Sequence, residues 1–159
     1  MVRARSAFTL VEILIVVILL GILAAIVVPS MTDVTTISRE TNLKENLSKI
    51  RAQLEVYRNQ HNGLPTAADF PDQMTKYTNA AGQVNGTRTD EFRFGRYLEQ
   101  MPPNPISTSR AIRAAAAAGD RFPPGDADGG WWYNETTGAF YADLLDQHVD
   151  REGDRYNRY

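Results

Sequence analysis

Residues 3–29 read RARSAFTLVEILIVVILLGILAAIVVP, and from Ile13 to Val28 the run contains no charged or polar side chain. With Phe8 to Val11 in front of it, the apolar stretch approaches the roughly 20 residues that a bilayer-spanning helix requires. One carboxylate, Glu12, stands at its mouth. A charged residue inside such a helix costs about 2.5–3.5 kcal/mol on insertion scales, and it usually marks a function or finds a partner. Glu12 therefore calls for a cation. The nearest basic residue before it is Arg5 and none follows until Arg39, so no basic side chain lies one helical turn away.

A secretory signal places its small-residue cleavage site after the apolar core. Here Ala24 and Ala25 lie inside the core, whereas Ser6 and Ala7 precede it, directly after Arg3 and Arg5. This arrangement, a short basic leader, a small residue and then Phe8-Thr9-Leu10-Val11-Glu12, closely resembles a class III prepilin leader. The chain resembles type IV pilins and the pseudopilins of type II secretion. The likeness covers about 30 residues, and Gly21 and Pro29 fall where such proteins carry residues that loosen the helix. It implies cleavage between Ala7 and Phe8 by a prepilin peptidase, followed by methylation of the new Phe8 amine. Ala7 departs from the glycine usual at that position.

A freed Phe8 amine, with a pKa near 8, would be the cation that Glu12 lacks. The resemblance implies pairing between subunits: the amine of an incoming chain meets Glu12 of its neighbour and sets the axial register of a homo-oligomeric filament. The competing reading is a plain signal anchor with Glu12 solvated at headgroup depth.

The chain has 17 basic and 19 acidic side chains, and losing Arg3 and Arg5 with a leader would take its formal charge from −2 to −4. An acidic balance argues against nucleic acid as the primary partner. Arg3 and Arg5 before the apolar run place the N-terminus in the cytoplasm and the remainder outside the inner membrane, as a single-pass protein held in lipid before assembly. There is no cysteine, which excludes disulfides, thiolate metal sites and cysteine nucleophiles.

Beyond Pro29, Leu43, Leu47, Ile50, Leu54 and Tyr57 follow 4, 3, 4, 3 spacing and write one apolar helical stripe, which Met31, Val34 and Ile37 extend backward. Arg39, Lys44, Glu45, Lys49, Arg51 and Arg58 lie off the stripe. A single helix from about Phe8 to about Asn62 is expected, bent at Pro29, with Gly63 suited to the left-handed position after its end. The expected organisation is a leader over 1–7, an apolar half-helix over 8–29, an amphipathic half over 30–62, a head over 63–142 and a polar tail over 143–159.

Within the head, Thr66 and Asp69 read as a capping pair for a short helix reaching about Lys76. Residues 79–89 read as a loop, and Met101-Pro-Pro-Asn-Pro105 as an extended turn. Trp131-Trp132-Tyr133 and Ala139-Phe-Tyr-Ala142, separated by a glycine-bearing turn, read as a β-hairpin. Ser109 to Ala118 permits helix or strand, and its place relative to the resembled family favours strand. The charged tail reads as unable to bury a core. The fold class expected is thus α+β, a long kinked helix packed on a small C-terminal antiparallel sheet, the pilin fold.

No catalytic constellation emerges: His61 and His148, the only histidines, read as solvated, and no phosphate-cradling or H-E-x-x-H signature occurs. Tyr57, Trp131 and Trp132 read as packing groups, although an aromatic hairpin holding a carbohydrate or peptide is the alternative for a surface binding module. The resemblance also implies calcium in the loops of the sheet; Asp126 and Asp128 offer the hard oxygen ligands it prefers, with Asp120, Asn134 and Glu135 as neighbours, but the family's ligand motif is not reproduced here. A hydrated acidic turn is the competing reading, and no other cofactor is expected. The family's machinery adds an assembly ATPase, an inner-membrane platform protein and related minor pseudopilins as partners. The missing cysteines and the HNGLPT and proline-rich runs favour a secretion pseudopilus over a type IV pilus serving adhesion, motility or DNA uptake.

Overall fold

The computed structural model describes residues 9–159, except for the side chains of residues 26–33. Ala7 and Phe8 lie outside the described residues, as does the side chain of Pro29. The chain divides into two compact units between Ser38 and Arg39.

Helix α1, Leu10–His61, is unbroken in its helical assignment across Gly21 and Pro29. In the first unit, all described side chains from Leu10 to Ala25 are exposed. A row of exposed leucine, isoleucine and valine has nothing within its own unit to bury against, the mark of a surface meant for another apolar phase or partner. Among the described residues no helix is long and apolar enough to cross a membrane. The described side chains stop at Ala25, and Ile26, Val27 and Val28, which complete the apolar run, are not among them.

In the second unit the stripe behaves as its spacing dictates. Leu43, Leu47, Ile50, Leu54 and Tyr57 are all 2% exposed or less. Burial does not extend back along it to Val34 and Ile37, which are 64% and 42% exposed, and the side chain of Met31 lies outside the described residues. Periodicity places residues on one face but does not say how far that face is covered, and here cover begins at Leu43. The helix ends as Asn62 turns left-handed, with φ of 50°; asparagine rather than Gly63 takes that conformation.

Thr66 and Asp69 do form a reciprocal pair: the Thr66 hydroxyl donates to the Asp69 carboxylate at 3.1 Å, and the Asp69 amide donates back to Thr66 Oγ1 at 3.3 Å. It closes the turn before helix α2, Phe70–Thr75, rather than capping the helix itself. Strand β1, Tyr77–Thr78, pairs antiparallel with β2, Val84–Asn85, which lies inside the stretch that reads as a loop.

The main sheet comprises β3, Ile112–Ala114, β4, Trp131–Tyr133, and β5, Phe140–Ala142, in that spatial order. β4 and β5 form the expected antiparallel hairpin, with Trp132 opposite Tyr141. Asn134 builds its turn, the side-chain oxygen accepting from the amides of Thr136 and Thr137 at 2.9 and 3.2 Å. The ambiguous segment is a strand, but β3 pairs with β4 in parallel, Ile112 opposite Trp131, so the sheet is mixed rather than antiparallel. The long connection over residues 115–130 permits this, since parallel neighbours need a crossover of a dozen residues or more. Gly130 lets the strands meet, because a Cβ there would sit 2.5 Å from the Ala111 carbonyl oxygen.

The C-terminal segment corrects the expectation of a coreless tail. Leu144 and Tyr156 are 0% and 4% exposed and join the core. Buried Asn157 donates to the Leu144 carbonyl and to Asp146, both at 2.9 Å. The Tyr159 ring lies beneath the Lys44 ammonium, 4.6 Å from its centroid, and its hydroxyl bonds Asp150. Arg51 of α1 donates to the carbonyls of Phe140, at 3.0 and 2.7 Å, and of Tyr159. A few well-placed anchors suffice to seat a charged segment, and average composition hides them.

Candidate functional site

Glu12 begins α1 as half of a capping box. The Thr9 amide and the Thr9 hydroxyl each donate to Glu12 Oε2 at 2.8 Å, and the Glu12 amide donates to Thr9 Oγ1 at 3.2 Å. The first amides of a helix have no partner inside it, and this exchange satisfies two of them. The signal is in the sequence, since Thr9-Leu-Val-Glu12 is the S/T-x-x-E pattern. Both donated bonds fall on Oε2, so Thr9 leaves the other carboxylate oxygen, Oε1, open to a further donor at the exposed start of the helix. At Gly21 an added Cβ would meet nothing within 4 Å, so no contact within the subunit demands glycine there.

The acidic residues offered for calcium do not converge. Arg113 forks onto Asp126, Nη1 to Oδ1 at 2.7 Å and Nη2 to Oδ2 at 3.2 Å. Asp128 accepts from the Leu145 amide at 3.1 Å, and its Oδ1 lies 2.9 Å from His148 Nε2. Asp120 accepts from the Ala117 amide, Glu135 from the Ala67 amide, and Asn134 donates to the carbonyls of Ala118 and Asp120. Among the described residues the one group of acidic side chains close enough to share an ion is Asp150, Glu152 and Asp154. Asp150 there already accepts from the Glu152 and Asp154 amides, both at 2.8 Å.

Neither histidine is simply solvated. His61 stacks on Tyr57 with centroids 4.1 Å apart, and its Nε2 lies 2.9 Å from the Tyr97 hydroxyl and 3.0 Å from the Thr78 hydroxyl. Its Nδ1 is buried without a hydrogen-bond partner. Burial holds the His61 imidazole below its usual pKa and pushes the Tyr57 hydroxyl up to about 12. A base depressed in the folded state binds its proton more readily when unfolded, so stability is full above the unfolded value of about 6.5 and declines as pH falls below it. We expect denaturation midpoints to drop as pH falls below about 6.5, with a slope below the ~1.4 kcal/mol per pH unit of one full proton because the ring is partly solvated. His61→Gln should flatten that slope in the same titration.

Trp131 and Trp132 are 0% and 1% exposed. They are packing groups, which removes the aromatic platform that a carbohydrate- or peptide-binding hairpin needs.

Known proteins fit this arrangement. A family profile described as a prokaryotic N-terminal methylation motif matches residues 2–28. Type II secretion system core protein G of Pseudomonas aeruginosa is 31% identical over 103 residues, spanning 65% of this chain and 69% of that protein. The Aeromonas hydrophila protein of the same name is 27% identical over 103 residues, 65% of this chain and 68% of its own length. Type IV narrow pilus major component PilA5 of Thermus thermophilus is 36% identical over 64 residues, covering 40% of this chain and 54% of that protein. No solved structure matches.

Proposed function

We propose, from the premise that this chain belongs to the family of type II secretion system core protein G, that it is a structural subunit of a pseudopilus, the pilus-like filament that helps a type II secretion system export folded proteins. The observation that carries this is the joining of Glu12, held at the start of α1, to an apolar run whose described side chains, Leu10 to Ala25, are all exposed, on a chain related to core protein G. Such a subunit is not an enzyme.

In this reading a prepilin peptidase cuts between Ala7 and Phe8 and methylates the Phe8 amine. The subunit waits in the inner membrane with its C-terminal unit in the periplasm. During assembly the apolar helix leaves lipid for a bundle of like helices, with Gly21 and Pro29 letting it adjust. Lipid and helix bundle are comparably apolar, so burial gives little bias and an assembly ATPase with a membrane platform protein must supply the work. The Glu12 carboxylate, paired with the Phe8 amine of a neighbouring copy, selects the register, and related minor pseudopilins complete the filament. A type IV pilus subunit is the second reading, favoured by the PilA5 likeness, though that likeness spans 40% of this chain against 65% for core protein G.

Intact mass and N-terminal sequencing of the protein from its own membranes test the pathway. We expect a chain beginning at Phe8 with one added methyl group. A chain that still carries Arg3 and Arg5 would remove the Phe8 amine from the mechanism and restore the plain anchor.

A further inference from the structure

The loop over residues 125–130 is acidic, and the resemblance to pseudopilins implies that calcium gathers such a loop against the sheet. The residues present do not fit that ion. Calcium takes six to eight oxygens at 2.3–2.6 Å, so its carboxylates must point at one centre. Here Asp126 and Asp128 point apart, one to Arg113 and the other to the Leu145 amide and His148.

Arg113 sits in the middle of β3, opposite Trp132 of β4, and Asp143 directly follows β5, the strand at the other edge of the same sheet. The Arg113 Nη1 that holds Asp126 at 2.7 Å also faces Asp143 Oδ1 at 3.5 Å. Asp143 is the group that needs this cation, because its side chain is 3% exposed while that of Asp126 is 60% exposed. A buried carboxylate without a partner is strongly unfavourable, whereas an exposed pair contributes little. The loop backbone closes over the same carboxylate: the Gly129 amide donates to the Asp143 carbonyl at 2.8 Å, and a methyl group at Gly129 would overlap the Asp143 side chain. A divalent ion taking both Asp126 and Asp143 would have to displace a guanidinium and then lie beside it.

We infer that Arg113 does in this chain what a divalent cation would otherwise do, clasping the Asp126 loop to the buried Asp143, and that the fold of this subunit is therefore indifferent to calcium. The guanidinium suits the role because its planar fork serves two carboxylates at once and is never deprotonated in a protein.

The test uses the full chain in detergent, with thermal unfolding followed by the fluorescence of Trp131 and Trp132, in millimolar calcium and in chelator. The wild-type midpoints should coincide to within about 1 °C, since a ligand that does not bind the native state cannot shift it. Arg113→Gln should lower the midpoint by roughly 5 °C in chelator, and Arg113→Lys, which keeps charge but loses the fork, should recover part of that loss. A wild-type midpoint raised several degrees by calcium would overturn the inference, as would an Arg113→Gln chain as stable as wild type. Should Arg113→Gln fail to fold, terbium added to the wild-type chain decides: absence of tryptophan-sensitised emission is expected, and saturable emission refutes the clasp.

Discussion

Glu12→Gln is expected to assemble no filament, while inserting into the membrane and being processed as well as wild type. Glutamine can serve as the reciprocal partner in a capping box, so Thr9 keeps its partner and the start of α1 is preserved. What disappears is the charge. If the neighbour's Phe8 amine is buried against residue 12 in the filament, removing one member of that pair leaves an uncompensated ammonium, at a cost of about 3–5 kcal/mol per subunit. That is roughly a 10²- to 5 × 10³-fold loss in the association constant for each added subunit, enough to reduce sheared or imaged filaments to background. Thr9→Ala separates the other contribution. It removes the cap, worth about 1 kcal/mol, but leaves the carboxylate, so filaments should persist at reduced yield. Wild-type filament numbers from Glu12→Gln would mean that the amine pair does not set the register.

Trp131→Ala has the largest effect expected on the head. Trp131 is fully buried at the start of β4, its indole packs on Phe140 with centroids 5.6 Å apart, and its Nε1 donates to the Pro102 carbonyl at 2.9 Å. Truncation deletes the ring, leaves a cavity and strands that carbonyl, which together cost about 3–5 kcal/mol. Domains of this kind hold only some 5–15 kcal/mol in total, so the variant should be partly or wholly unfolded at 37 °C. Denaturant titration of the full chain in detergent, followed by near-ultraviolet circular dichroism, measures this. Phe122→Ala, at a ring 39% exposed, should cost less than about 1 kcal/mol in the same titration and serves as the control.

The parts of the fold legible in the sequence are those governed by short-range rules. The 4, 3, 4, 3 spacing identified the buried stripe from Leu43 to Tyr57, and two aromatic runs across Asn134–Gly138 identified the hairpin. What escaped depends on contacts distant in sequence. The parallel pairing of β3 rests on which neighbour the chain returns to after residues 115–130, and composition carries no record of that. The C-terminal segment reads as solvated because its anchors, Leu144, Tyr156 and Asn157, are diluted among charges. At the N-terminal end the Thr9–Glu12 box follows a short-range rule, the S/T-x-x-E spacing. At the acidic loop the sequence displayed Asp126 and Asp128 but not that Arg113, on another strand, already holds the first of them.

The seating of residues 140–159 on α1 also bears on when the head can fold. Arg51 is joined to the Phe140 carbonyl 89 positions onward and to that of Tyr159 108 positions onward, while Lys44 faces the Tyr159 ring. Contacts of such sequence separation form late, because the closure entropy of a long loop must be met before they stabilise anything. In a subunit whose N-terminus stays in the cytoplasm and whose residues after the apolar run cross the membrane in sequence order, the stripe of α1 would stand uncovered for the whole time its own covering sequence is still in transit. During that interval the stripe of one copy is open to the stripe of another, so the pace of delivery governs the partition between folding and aggregation.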